Sequence, residues 1–477
     1  MKVYFVASEG VPFAKTGGLA DVVGTLPKAL AAQGADVAVI LPKYREITER
    51  YGGQIKHIMY LYVNLGWRRQ YCGIETLCLD GIDYYFLDNE FYFGRDGLYG
   101  NGDDEGERFG FFCRAVLEML PHIGMPDILH CNDWQTGMIP ALLEMQYRRQ
   151  FYQYSALKTV FTIHNLQYQG IFPWGWIAEM LGIEDRYFTP DALEYYGCIN
   201  YMKGGIAFSD YVTTVSPSYA QEIKGPWQGK QLDGLIRSRG DAVVGILNGI
   251  DLQEFDPKTD PHIAQTYSAE ELDKKTENKY ALQRELGLVE GDAPLIAMVT
   301  RFVPQKGIDL VEYAMDDIMK TGAQFVVLGM GDAQYVDFFR WAQWRYEGNF
   351  AARIEMNNPL AHRIYAGADM LLMPSQFEPC GLSQMIAMRY GTLPIVRETG
   401  GLKDTVEPYN QYTGEGNGFS FSTFNAHDML HIIRLAQTCY ADQALWRRLQ
   451  IQAMNSCFSW ERSAAEYIAL YHAVLAN

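Results

Sequence analysis

The chain has 477 residues, of which 48% are hydrophobic and 20% charged. That length exceeds one hydrophobic core, and the composition excludes disordered, collagenous and fibrous classes. Forty Lys and Arg stand against 57 Asp and Glu, a net charge of −17. This argues against a duplex-nucleic-acid binder, which needs basic surface against phosphate, but allows a local basic pocket for a small anion.

Met1 and Lys2 are followed by five apolar residues and then Ser8 and Glu9. The run is too short for a signal-peptide core and predicts a first strand. No segment approaches the ~18–20 apolar residues of a membrane span. Eight cysteines without a C-x-x-C pair form neither a disulfide framework nor a zinc pattern. Reduced thiols in a cytoplasmic protein are the expectation.

In chain order, β-rich runs fit strands at 3–8, 35–41, 74–79, 83–87, 126–131, 158–163 and 211–215. Helical patterns fit 19–33, 109–121 and 135–149 among them. A second series places strands at 294–300, 323–328, 352–356, 369–373 and 393–396, with helices at 307–320, 333–346, 359–366 and 381–390. Strands alternating with helices predict right-handed βαβ units and mainly parallel sheets. Two series predict two Rossmann-like doubly wound domains facing across a cleft. Gly245, Asn248, Gly249 and Pro257 mark a join within 243–255. Residues 94–108, glycine-rich and acidic, read as a mobile surface loop. TGGLADVVG at 16–24 and TGGLKDTVE at 399–407 agree at six of nine positions. Both fit a glycine-rich loop opening a helix, and duplication or coincidence explains the echo.

Ligands in such sheets bind beyond the carboxyl ends of the strands. The first strand runs into EGVPFAKTGGLADVVG. Gly17 and Gly18 allow close backbone approach, the helix start offers free N–H groups to a phosphate, and Lys15 adds a charge. A glycine-rich turn with a surface lysine is the alternative. The strand at 294–300 leads to Arg301 and then Lys306, which suit one diphosphate as fork and point charge, or are solvated cations. After 369–373, PSQFEPCGLSQMIAMRYG puts Glu378 beside the amides of 380–383. It reads either as a sugar-facing carboxylate or as an acid at a helix start. His164 and Asn165 end one strand; His130, Asn132 and Asp133 end another. A histidine in such a place serves either a site or the packing. No D-x-D triplet occurs, and His427 with His431 lacks the glutamate of a zinc helix, so no metal site is expected. A P-loop and a G-x-S-x-G elbow are also missing.

The ordered set KTGGLADVVG, HCNDWQTG, FTIHNLQYQG, GILNGID, RFVPQKG, FEPCGLSQ and TGGLKDTV resembles the bacterial glycogen synthases and plant starch synthases along the whole chain. The resemblance implies the glycosyltransferase B fold and transfer of glucose from ADP-glucose to the non-reducing end of an α-1,4-glucan, with retention and release of ADP. It implies no cofactor beyond that co-substrate, no nucleic-acid or membrane partner, and a cytoplasmic location.

It further implies an N-terminal domain over 1–243 on the acceptor side and a C-terminal domain over 244–457 on the donor side. The last helix, 458–477, would return to the first domain. By position, Lys15, Gly17, Gly18, Asp21, Asn248, Arg301, Lys306, Cys380, Gly381, Leu382 and Ser383 match donor-binding places. His164, Glu378, Arg301 and Lys306 match the catalytic set. Tyr99, Asp133 and Asn165 match less closely, because the loops before them vary in length. Ser383 stands where the family usually has Thr and keeps the hydroxyl; Glu398, before the second TGGL, is a further departure. A sucrose- or trehalose-type synthase of the same fold, or a non-catalytic glucan-binding protein with aromatic platforms, are the alternative functions.

Overall fold

The computed structural model describes residues 1–100 and 104–476. The chain forms two units, Met1–Gly249 with Trp460–Asn477, and Ile250–Ser459.

In the first unit the strands are β1 (Lys2–Val6), β2 (Asp36–Pro42), β3 (Lys56–Leu65), β4 (Arg68–Leu79), β5 (Ile82–Asp88), β6 (Ile128–Asn132), β7 (Lys158–Ile163), the short β8 (Ile171–Pro173), β9 (Glu194–Tyr195) and β10 (Cys198–Asn200), then β11 (Tyr211–Thr214) and β12 (Val243–Gly245). Nine of them form one sheet in the order β12-β11-β7-β6-β1-β2-β5-β4-β3, and β8, β10 and β9 form a small separate one. β1, β2, β5, β6, β7, β11 and β12 run parallel, and β3–β4–β5 is an antiparallel meander. The near-continuous apolar runs of β1 and β2 follow from burial on both sheet faces. The meander departs from the expected βαβ alternation. Its first hairpin turns through Gly66 at φ 57°, the positive φ that a two-residue connection requires.

The second unit holds β13 (Leu295–Val299), β14 (Gln324–Leu328), β15 (Phe350–Arg353), β16 (Met370–Met373), β17 (Leu393–Arg397) and β18 (Phe419–Phe421). They form a six-stranded sheet, β15-β14-β13-β16-β17-β18, parallel throughout. All five strands predicted for this half are present, with helices Ile308–Met319, Ala333–Arg345, Asn358–Gly367 and Ser383–Arg389 between them. Two doubly wound α/β sheets are the fold.

The last helix, Trp460–Ala476, packs on the first unit against the helix Gly18–Ala32. Its Trp460, Tyr467, Tyr471 and Val474 join the first unit's core. Tyr471 Oη meets His130 Nδ1 at 2.6 Å, and Gln33 Nε2 donates to Glu461 O at 2.8 Å.

Three expectations need correction. Residues 94–108 are not a free surface loop where they are described. A helix begins at Glu105 and Arg108 is fully buried, donating to Tyr92 O at 2.8 Å; Arg95 grips Asp104 through two bonds of 2.8 and 2.6 Å. Residues 101–103 of that stretch lie outside the described residues. The helix read over 135–149 is interrupted by a π-helical turn at Leu143–Tyr147. The TGGL echo is not a duplication, because its first copy follows β1, which opens its sheet, and its second follows β17, the fifth strand of the other sheet.

Candidate active site

Counting the parallel strands, each sheet reverses its direction of strand addition once, between β1 and β6 and between β13 and β16. Beyond the carboxyl ends of such a pair the loops part and leave room for a ligand. Most of the residues singled out in the sequence lie at these two places or on the next strand end, and Asn248 does not.

In the first unit, β1 leads into a turn held by Gly10, whose N–H donates to Ala14 O at 3.0 Å, and then to the helix Gly18–Ala32. Lys15 Nζ meets Asp21 Oδ1 at 2.6 Å. Lys15 and Asp21 are 50% and 33% exposed, so the pair is worth little to stability and leaves the ammonium accessible. Beneath it, Glu9 is buried. Its Oε2 accepts from Thr16 Oγ1 at 2.9 Å and from the Thr16 N–H. Burial raises its pKa, while the Thr16 and Gly17 donors oppose the rise. The sequence reading passed over Glu9, although it stands in the quoted motif; its buried place on the strand–helix turn was the missing signal. Tyr99 closes the same corner through a 2.7 Å bond between its hydroxyl and Ser8 Oγ.

At the end of β6, Asp133 takes φ 58°, a conformation costly for a residue with a Cβ and concentrated at functional sites. Its Oδ1 accepts from the His164 N–H at 2.8 Å, which ties the β6 and β7 ends together. Desolvation pushes Asp133 up to about 7 against the backbone donors of His164 and Asn165. His164 Nε2 lies 2.9 Å from Asn132 Oδ1, and desolvation lowers the ring to about 3, so it is neutral. His130 is structural: fully enclosed, also lowered to about 3, it bonds Tyr471 and Thr162, the latter at 2.6 Å. Asn248 follows β12, separated from β6 by β11 and β7. It is buried and its side-chain oxygen has no hydrogen-bond partner among the described residues.

In the second unit, Arg301 leaves the end of β13 exposed, with no ion pair to any described side chain. Lys306 Nζ meets Glu378 Oε2 at 2.6 Å, and the same oxygen accepts from Ser375 Oγ at 3.0 Å. Lys306 and Glu378 are 15% and 8% exposed, so this pair is largely desolvated. Glu378 therefore faces a lysine from the β13 loop rather than the amides of 380–383. Gly307, at φ 68°, lets the two loops touch, since a Cβ there would lie 2.1 Å from Pro374 O.

The Cys380–Ser383 segment is fixed from below. Gln384 Nε2 donates to Cys380 O at 3.1 Å and Gly381 O at 2.9 Å, and Gly401 N donates to Glu378 O at 3.2 Å. A Cβ at Gly400 or Gly401 would strike Glu378 O or Cys380 O at 2.0 and 2.2 Å, which explains the second TGGL. By contrast, a Cβ at Gly17 would meet nothing nearer than Glu9 Oε1 at 3.9 Å. Arg397, also missed in the sequence, braces the loop from the end of β17, donating to Ser375 O at 2.8 Å and Gln376 O at 2.5 Å. Its ordinary strand context gave no sign of that role.

Residues 2–238 match the family described as the starch synthase catalytic domain, and 281–448 match glycosyl transferases group 1. Glycogen synthases of Geobacillus thermodenitrificans and Desulforamulus reducens are each 54% identical to the chain. The alignments span 100% of it and 98% and 99% of those proteins. The chain belongs to the glycogen synthase family.

The solved catalytic domain of Arabidopsis thaliana starch synthase IV, bound to ADP and acarbose, superposes with a TM-score of 0.91 at 35% identity. It covers 100% of this chain and 99% of that one. Sucrose-phosphate synthase of Thermosynechococcus elongatus, 19% identical at a TM-score of 0.64 over 100% and 99% of the two chains, shares the fold. Membership makes the chain a glycosyltransferase. Among the described residues no helix is long and apolar enough to cross a membrane.

Proposed function

We propose that the chain lengthens an α-1,4-glucan at its non-reducing end with glucose from ADP-glucose, in the cytoplasm, retaining the anomeric configuration and releasing ADP. The observation that carries this reading is the arrangement of Arg301, Lys306 and Glu378 at the β13–β16 switch point. It is supported by the glycogen synthase names of the relatives and by the ADP and acarbose of the Arabidopsis domain.

As the bond from the sugar's anomeric carbon to the diphosphate breaks, negative charge grows on the leaving ADP. Arg301 supplies a guanidinium fork and Lys306 an ammonium already fixed by Glu378, so the lysine need not reorganise as the charge develops. In the first unit Lys15 is an accessible ammonium and Asn248 an unused buried acceptor. These cations, with no D-x-D triplet in the sequence, favour a reaction without a divalent metal.

Retention by double displacement needs a carboxylate free to attack the anomeric carbon. Glu378 is engaged by Lys306 and Ser375, which favours attack from the leaving-group face. There the acceptor hydroxyl passes its proton to the departing phosphate. In this reading Glu378 positions Lys306.

The test is incorporation of labelled glucose into glycogen from ADP-glucose and UDP-glucose in parallel, with and without EDTA. Incorporation from ADP-glucose that survives EDTA is expected. Transfer only to fructose or glucose phosphates, glycogen binding without turnover, or activity restored only by Mg²⁺ would overturn the corresponding part.

A further inference from the structure

The second unit holds a cavity of about 380 Å³ at the end of its sheet away from Arg301, Lys306 and Glu378. It lies by the amino-terminal ends of β13 and β16, where Asp292 and Asp369 precede the two strands. The five residues of β13 put the two ends of the sheet roughly 15 Å apart. The helix Lys275–Leu286 brings Lys275 and Lys279 to the cavity, and the helices Ala426–Ala441 and Gln443–Met454 bring Tyr440 and Trp446.

Lys275, Lys279 and Asp369 are all buried, two cations against one carboxylate. Asp369 Oδ2 accepts from Lys279 Nζ at 2.7 Å and from the Leu295 N–H at 2.8 Å. Lys279 Nζ also meets Tyr440 Oη at 2.9 Å, which leaves one of its three N–H bonds without an acceptor among the described residues. Lys275 spends its donors on Tyr365 O, Ala366 O and Thr392 Oγ1, capping the helix Asn358–Gly367. Desolvation lowers it to about 7 despite Asp369, so this ammonium is short of counter-charge. Trp446 is 2% exposed, and its indole N–H, a donor only, has no acceptor among the described residues. Buried donors are nearly always bonded, so one left over in a cavity wall calls for an acceptor. Tyr440 joins the two spare donors: its ring meets the indole edge-on at 5.3 Å, and its hydroxyl meets Lys279.

We propose that this cavity binds a small organic anion, one carboxylate or phosphate group on a compact body, apart from the reacting centre. The oxyanion accepts from Trp446 Nε1 and the spare Lys279 N–H and supplies counter-charge to Lys275. The body lies against Tyr440 and buried Leu272. The volume falls in the range of small-molecule sites, roughly 300–1,000 Å³. The two lysines disfavour a metal cation. Asp292, exposed at the rim and held by Tyr280 Oη at 2.7 Å, disfavours a large polyanion.

The test is isothermal titration of the full chain with glycerol 3-phosphate and, separately, with benzoate, in 0.15 M salt with saturating ADP present. The two arms distinguish a phosphate ester from a carboxylate. The parent is compared with Trp446→Phe, which keeps an apolar ring and removes the unbonded N–H, and with Thr276→Trp, which fills the mouth from an exposed helix position. If Trp446→Phe melts lower than the parent, Thr276→Trp carries the comparison alone. The expected result is one-site binding of at least one probe by the parent. Affinity should be about tenfold weaker in Trp446→Phe and lost in Thr276→Trp, with glucose transfer unchanged in both. No binding of either probe up to about 10 mM, or equal affinity in parent and variants, would overturn the site. Binding seen only when ADP is left out would place the probe where ADP binds and overturn it as well. A parent that binds a probe here but transfers no glucose would sink the proposed function and leave this site standing.

Discussion

Lys306 and Arg301 are expected to do the same work on the donor but differ in what they do for the fold. Arg301→Ala removes an exposed cation with no described ion-pair partner, so stability should stay within about 0.5 kcal/mol of the parent. Lys306→Ala strands the Glu378 carboxylate in a largely desolvated place, at a cost on the order of 3 kcal/mol. Both should lower kcat by about 100-fold. Denaturant melts beside steady-state kinetics check the contrast; equal stability loss, or raised KM with unchanged kcat, would contradict it.

Asp133 makes a pH-dependent prediction. Its pKa is raised to about 7 from an ordinary value of about 3.9, so between these the folded state holds the proton more tightly than the unfolded state. Its contribution is therefore complete at pH 4 and is lost as pH rises through 7. Asp133→Asn keeps an acceptor for the His164 N–H. Its melting temperature relative to the parent should climb from pH 4 to 7 and level off above. A difference independent of pH would contradict the assignment. Sequence position was enough to single out these residues, since each follows a strand. Their partners were not legible: that Glu378 faces Lys306, and that Glu9 lies under Thr16, depends on loops 72 and 7 residues apart in contact meeting in space.

Among the elements, the helix Trp460–Ala476 shows how far a periodic segment can be read. Its apolar spacing predicts a helix, but its seat is set by particular side chains: Tyr471 on His130, Ser463 Oγ donating to Leu247 O at 2.5 Å, and Trp460 and Tyr467 in the first unit's core. Removing 460–477 uncovers that core and leaves buried His130 without one of its two partners. The first unit should then melt at least several degrees lower, while the isolated segment 250–459, whose ends pair through Ile250 N and Phe458 O at 2.9 Å, should still unfold cooperatively. Calorimetry of both chains decides it; unchanged melting of the truncated protein would refute the role. The meander β3–β4–β5 is the opposite case. β3 escaped the reading because KHIMYLYVNL carries large apolar residues on both faces, and only the sheet shows which row is core.

For the whole molecule, alternating apolar runs and helical patterns determined two mainly parallel α/β sheets, and glycine and charge marked the loops at their strand ends. Both follow from local physics: the period of a buried strand or helix, and the excess of ligand contacts at strand carboxyl ends. Tertiary structure decided what local patterns do not encode. It separated the two TGGL copies into different tasks, one opening a helix beside Lys15 and one packing its glycines against the Glu378–Cys380 backbone. It turned a loop-like stretch after Glu105 into a helix with a buried arginine, because Tyr92 and Leu98 carbonyls lie within reach of that guanidinium. It also left three tyrosines of one sheet edge uncovered. In each case the deciding partner lies far away in the chain or on a neighbouring strand, and only folding brings it close enough to exclude water or accept a hydrogen bond.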